Sequence, residues 1–178
     1  MDFTNRPARM DERPALEQLI ADSARGLSQE DYTPAQIESA ITHVFGVDTE
    51  LVEDGTYLVV EHAGAPIACG GWSRRKTLFG GDRFAGRESG LLDPARDAAK
   101  IRAFFVHPAW ARRGVGRALL EACEQAARAQ GFRALELMAT LPGVKLYRTL
   151  GFAGDQRVEH TMGDGTTITF VPMRKELE

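Results

Sequence analysis

Eight consecutive residues, Ala111-Arg112-Arg113-Gly114-Val115-Gly116-Arg117-Ala118, set two glycines among three arginines just ahead of an amphipathic segment. Glycine lets backbone N–H groups approach a ligand with no Cβ in the way. A helix start adds unpaired N–H donors and the positive end of the helix dipole. Arg112, Arg113 and Arg117 bring cationic side chains to the same point. The chemistry on offer is the binding of a phosphate or pyrophosphate. A tight strand-to-helix turn with solvated arginines would use the same residues, and this segment alone leaves both readings open. It does narrow the ligand. The phosphate-loop pattern ends in Gly-Lys-Ser/Thr, and Arg117-Ala118 does not. The dinucleotide pattern wants a third small residue where Leu119 stands. Glu136, twenty positions past Gly116, fits its ribose-binding acid only superficially, because it falls in mid-strand. Seven residues, His107 to Arg113, also separate the preceding strand from Gly114, whereas a dinucleotide turn is tight.

Other residue types that carry chemistry are scattered. Glu61, Asp97 and Glu136 are carboxylates that could accept a proton, each read first as a solvated or paired surface acid. His62 and His107 titrate near neutrality in principle, and both sit where turns are expected. Cys69 and Cys123 lack metal-ligand spacing, so neither a disulfide framework nor a cysteine-type metal site is expected. Arg74-Arg75-Lys76, with Arg83 and Arg87, makes a basic stretch that reads first as a solvated face.

The elements that must position these residues are mixed. Phe3 to Pro7 reads as an edge strand. A helix follows with Leu16, Leu19 and Ile20 on one face, Pro14 in its first turn and Gly26 as its stop. Thr33-Pro34-Ala35-Gln36 offers an N-cap, a proline at the first helical position and a capping-box glutamine; Ile37, Ala40, Ile41 and Val44 then recur at helical spacing. Tyr57 to Glu61 and Pro66 to Trp72 read as a hairpin. Arg74 to Ala99 is a long glycine-rich connection, of the kind that covers a site or is poorly ordered. Lys100 to Val106 is an apolar strand stopped by His107-Pro108. The helix from Gly114 to Gln130 is expected to turn Val115, Ala118, Leu119, Ala122 and Ala126 inward, with Gly131 past its end and Phe132 as the apolar contact beyond. Ala134 to Ala139 is a strand, and a short helix carries Val144, Leu146 and Tyr147. The tail reads as a hairpin, Arg157 to Met162 and Thr166 to Arg174 around Gly163-Asp164-Gly165.

The stretch from Ile101 to Phe152 resembles the GNAT superfamily of acyl-CoA-dependent N-acyltransferases. The residues that carry the likeness are the strand ending Phe105-Val106-His107-Pro108, the glycine loop, and Tyr147-Arg148-Thr149-Leu150-Gly151-Phe152. The family's loop pattern is Gln/Arg-x-x-Gly-x-Gly/Ala. Gly114 and Gly116 hold its small positions, while Ala111 departs at the first and Arg112 or Arg113 compensates. Leu141-Pro142-Gly143 stands where several members carry an asparagine.

The resemblance implies an α/β fold with an α+β-like mixed sheet, helices on both faces, and two parallel strands, Ile101 to Val106 and Ala134 to Ala139, splayed around the pantetheine of acetyl-CoA. It implies acetyl-CoA as cosubstrate and no metal. The binding set it implies is the backbone of Phe105 and Val106 for the pantetheine, and Arg112, Arg113, Gly114, Val115, Gly116, Arg117 and Ala118 for the pyrophosphate. The Val106 N–H would face the oxyanion. Tyr147 stands where members place a general acid, and a phenol near pKa 10 can protonate a thiolate near 8.5 without ionising beforehand. No base is assigned. Arg102, or one arginine of the basic stretch, would hold a carboxylate of the acceptor; Trp72 and Phe79 either line the acceptor pocket or belong to the core. The expected activity is acetyl transfer to a primary amine by direct attack. The alternatives are a catalytically weak CoA-binding sensor or scaffold and a dinucleotide-binding oxidoreductase, the last requiring the Gly114 turn to abut its strand.

Composition bounds the partners. With 178 residues, 43% hydrophobic and 26% charged, residues 1–178 are expected to form one globular domain. Lys and Arg number 22 against 25 Asp and Glu, a net charge of −3, which argues against nucleic acid or an anionic membrane as partner. Met1-Asp2-Phe3-Thr4 lacks a signal-peptide layout, so a reducing, cytoplasmic setting is expected. A small-molecule amine is the expected acceptor rather than a protein, and a homodimer is compatible with the reading. Eighteen glycines, about a tenth of the chain against a usual ~7%, are the one unusual count, and they place the chemistry.

Overall fold

A computed structural model describes residues 2–178. Seven strands form one sheet: β1 (Thr4–Pro7), β2 (Tyr57–His62), β3 (Ala65–Ser73), β4 (Ala99–Val106), β5 (Ala134–Thr140), β6 (Val158–Thr161) and β7 (Thr167–Glu176). Their order is β1-β2-β3-β4-β5-β7-β6, and every pair is antiparallel except β4 with β5. The parallel pair follows from the connection, since only a crossover helix can return the chain to the same end of the sheet. That helix is α4 (Val115–Ala129).

Two apolar cores, one on each face, hold the sheet. One joins α4 and α5 (Val144–Thr149) to β4 and β5 through Leu119, Leu120, Cys123, Leu135 and Leu137. The other packs α1 (Arg13–Leu27), α2 (Pro34–His43) and α3 (Thr49–Asp54) against the opposite face through Leu16, Ile20, Ala40, Leu51 and Val59. The mixed sheet with helices on both faces is thus the arrangement expected.

Several local readings change. Gly26 does not stop α1. It lies inside the helix, where a Cβ would come within 2.4 Å of the Pro108 ring, so glycine is needed for close packing. On α4 the fully buried stripe is Val115, Gly116, Leu119, Leu120, Cys123 and Ala127; Ala118, Ala122 and Ala126 flank it half-buried. The helix α3 was not foreseen, although Asp48 caps it by accepting from the Leu51 N–H and Gly55 ends it in the left-handed region. The connection from 74 to 98 contains no helix and is tied down by ion pairs, Arg75 to Asp54 at 2.7 Å and Arg87 to Asp48 at 3.2 Å. No helix among the described residues is long and apolar enough to cross a membrane.

Candidate active site

The parallel pair β4–β5 holds together only at its start, Ala99 opposite Leu135 and Lys100 opposite Glu136. A bulge on the other side of β4 explains why. Arg102 pairs with Gly71 and Phe105 with Cys69, so Ala103 and Phe104 together oppose Gly70. An extra residue bends a strand and raises its twist. Ala103 takes φ of 50°, rare for a residue with a Cβ, and the Tyr57 hydroxyl fixes it by donating to the Ala103 carbonyl at 2.8 Å. Gly70 is required opposite, because a Cβ there would lie 2.6 Å from the Phe104 ring. Beyond the bulge a cleft opens through the sheet, lined by Ala103, Phe104 and Phe105 on one side and Leu137, Met138 and Thr140 on the other.

The register also decides which backbone groups face that cleft. The His107 N–H donates to the Ile67 carbonyl of the β3 side at 2.8 Å. Alternate amides point the same way in a strand, so the Phe105 N–H also turns toward β3 and the Val106 N–H turns toward the gap. Of the two residues read as pantetheine contacts, Val106 therefore offers the donor, and Phe105 offers a ring to the cleft wall.

A 3-10 turn, Pro108–Trp110, leads from β4 to α4. Arg112 at φ 61° and Gly114 at φ 83° both lie in the left-handed region, and Gly114 is the N-cap. The four N–H groups from Gly114 to Arg117 lack intrahelical partners. The Ala118 N–H does not join them, since it donates to the Gly114 carbonyl at 3.0 Å. Arg112, Arg113 and Arg117 are exposed, and the Arg113 guanidinium lies 5.2 Å over the Trp110 ring. Nothing lies within 4 Å of a Cβ built on Gly114. Gly116 has a packing reason as well, because its Cβ would meet Leu146 at 3.1 Å. The residues present fit an anionic diphosphate.

Tyr147, on α5, is buried and lines the same cleft. Its ring is held edge-on by Phe104 at 6.1 Å and Phe152 at 5.7 Å. Burial pushes its hydroxyl well above the usual tyrosine value, which keeps the proton on. Gly143 makes room, since a Cβ there would come within 3.1 Å of the ring. Tyr32 was missed by the sequence reading. Its oxygen accepts from the Leu141 N–H at 2.9 Å and its hydroxyl donates to the Thr169 carbonyl at 2.5 Å, pinning the turn that carries α5.

Residues 14–152 match the Acetyltransferase (GNAT) family. The chain belongs to that family. Solved structures of the same fold include a GCN5-related N-acetyltransferase from Rhodopseudomonas palustris (TM-score 0.75, 20% identity, 99% of this chain and 97% of that one). The PaiA N-acetyltransferase from Thermoplasma acidophilum, in complex with coenzyme A, gives 0.67 at 13% identity over 99% of each chain. YncA from Salmonella typhimurium, a putative acetyltransferase with its cofactor acetyl-CoA, gives 0.63 at 17% identity over 100% of this chain and 95% of that one. At these identities the likeness establishes the shared fold. No curated protein matches the sequence.

Within this GNAT chain the scattered acids and histidines lie away from the cleft. Glu61 is held by Arg6 at 3.0 Å, which keeps its carboxyl below the ordinary range. Burial alone would raise the Glu136 carboxyl, but Lys100 and Arg174 hold it low. Asp97 accepts from the Asp93 N–H, His107 from the Ala109 N–H, and His62 lies against Trp110. Arg75 and Arg87 are paired as described. Arg102 lines the cleft wholly buried, paired with Asp48, and burial pushes its guanidinium down to about 10. Trp72 belongs to the core beside Phe132, whereas Phe79 lines the cleft. Cys69 and Cys123 lie in opposite cores, and burial pushes both thiols up to about 12.

Proposed function

We propose that residues 1–178 form one acetyltransferase domain that moves the acetyl group of acetyl-CoA to a primary amine by direct attack. The observation that carries this reading is the parting of β4 from β5 after Lys100, which joins a helix start rich in free donors to a cleft containing Tyr147. Acetyl-CoA, when bound, supplies an activated thioester. Gly114, Val115, Gly116 and Arg117 would hold its diphosphate through their N–H groups, with Arg112 and Arg113 neutralising charge. The Val106 N–H would donate to the acyl oxygen as negative charge develops there. The amine nitrogen forms the new C–N bond as the C–S bond breaks. Tyr147 gives its proton to the departing sulfur, and the proton lost by nitrogen returns to the phenolate through solvent. Direct attack is favoured over a cysteine acyl-enzyme because thiols held near 12 carry almost no thiolate at neutral pH.

The test is thiol release from acetyl-CoA over a panel of amines. Release that depends on the amine supports the reading. One observation favours the other reading, a CoA-binding sensor: no carboxylate or histidine is among the described residues lining the cleft. Tight CoA binding with no release from any amine would establish the sensor.

The loop makes its own prediction. Gly114→Val forces a branched side chain into the left-handed region, at about 1–2 kcal/mol. If that strain is relieved by turning the N–H groups, acetyl-CoA affinity falls about tenfold in calorimetry. Unchanged affinity would remove Gly114 from the diphosphate site.

A further inference from the structure

The half of the cleft facing α1 and α2 is built from rings. Phe45 meets Phe105 edge-on at 5.4 Å and Phe79 meets Phe170 at 5.5 Å; all four line the cleft. Phe84 and His160 back them, at 4.5 Å and 5.5 Å from Phe79. Edge-on pairs of this kind leave a further ring easy to accommodate.

The charges are as telling as the rings. Among the described residues of the lining there is no Asp, Glu, Lys or His, and the one ion is Arg102. Its guanidinium meets Asp48, Ser73 at 3.5 Å and Glu50 at 3.8 Å, while its Nε has no partner. Behind it Arg87 and Arg75 answer Asp48, Glu50 and Asp54, so that cluster is already closed on itself. Glu17 approaches the Gly46 wall from α1 but is held by the Val47 N–H, Arg13 and Arg83. His160 lies behind Phe79 and Phe170, outside the lining. A second ammonium group on the acceptor would therefore find no counter-ion, beside a buried cation. The reacting nitrogen meets no side chain that takes its proton, so it must arrive neutral.

We infer that the acceptor is a weakly basic amine on an aromatic body, with an aromatic α-amino amide as the representative. This rests on the acetyl-transfer reading above and names its substrate class. The basicity matters because an α-amine has a pKa of about 7.7–8.0 against about 10.4 for an alkylamine such as lysine's. At about pH 7.5 roughly a third of the first is neutral and roughly a thousandth of the second.

The experiment is thiol release by the full chain with phenylalanine amide, phenethylamine, alanine amide and spermidine. At about pH 7.5, kcat/KM for phenylalanine amide is expected to exceed that for phenethylamine at least about tenfold, with the gap closing toward pH 10 as the alkylamine loses its proton. It is also expected to exceed alanine amide at least about tenfold, as an aromatic ring buried against rings should. Spermidine or alanine amide turning over as well as phenylalanine amide overturns the inference and leaves acetyl transfer standing. Phenethylamine matching phenylalanine amide at about pH 7.5 overturns it too, because a proton acceptor must then serve the cleft. No release from any amine overturns the acetyl-transfer reading itself.

Discussion

Tyr147→Phe is expected to lower kcat at least about tenfold, within the about 10²–10⁴ that general-acid assistance is worth, while acetyl-CoA affinity stays within about twofold. The substitution is clean because the ring does the packing. Phe104 and Phe152 hold it edge-on, Gly143 leaves it space, and phenylalanine keeps all of these contacts. Only the hydroxyl is lost, so the thermal midpoint should barely move. Burial raises the hydroxyl above its usual value, which by itself would weaken Tyr147 as an acid toward a thiolate in water. The role asked of Tyr147 is that of a neutral donor, and burial favours that neutral form. The sign for pH follows: a raised value keeps Tyr147 protonated through pH 10, so wild-type kcat should show no fall from its ionisation between about pH 7 and pH 10. Steady-state kinetics with a separate CoA titration checks both points, and unaltered turnover would remove Tyr147 from the chemistry.

What could be read from the sequence was local. The Thr33–Gln36 capping box forms both of its bonds, Thr33 N–H to Gln36 at 2.9 Å and Gln36 N–H to Thr33 at 3.2 Å, because four adjacent residues suffice to specify it. The glycine loop was legible for the same reason, since its donors depend only on where α4 begins. The bulge was not. Alanine at position 103 carries no mark of a positive φ, and the one trace is glycine at 70 and 71 inside a strand, a weak sign of close backbone approach. Which amide of Phe105 and Val106 faces the cleft depends on the register with β3, so Val106 could be singled out only through the family resemblance and not from local spacing. Gly26 was misread because a glycine near a helix end looks like a stop; its reason is Pro108, far away in the chain. The Arg102–Asp48 pair joins residues 54 positions apart and leaves no spacing signature at all.

That pair sets the second large effect. Asp48→Asn is expected to destabilise the fold by about 3 kcal/mol, the lower end of what breaking a buried pair costs, because Glu50, partly exposed and 3.8 Å away, remains as a weaker partner for Arg102. Asp48 and Arg102 are both fully buried, and even at about 10 the guanidinium stays charged at neutral pH. Arg87, a quarter exposed, can turn to water when Asp48 is neutralised, whereas Arg102 cannot. The buried cation, left with Glu50 alone at 3.8 Å, is thus the source of the cost. It follows that Asp48→Asn with Arg102→Met should recover most of the loss, because the buried cation is then gone while asparagine still accepts from the Leu51 N–H as the cap of α3. Chemical denaturation of the single and double variants decides this, and a double variant as unstable as the single would mean the pair itself holds the fold. The same substitution reaches the cleft. Arg87 donates to the Gly81 carbonyl at 3.1 Å, and the Gly81 N–H donates to Val44 at 2.9 Å, so Asp48 steadies the Gly80–Gly81 wall through Arg87. Folded Asp48→Asn protein should therefore raise KM for the acceptor more than KM for acetyl-CoA, whose proposed diphosphate site is at the far end of β4. Equal changes in both would place the wall's rigidity elsewhere, in Phe84, whose ring packs so closely on Gly80 that a Cβ there would come within 2.4 Å of it.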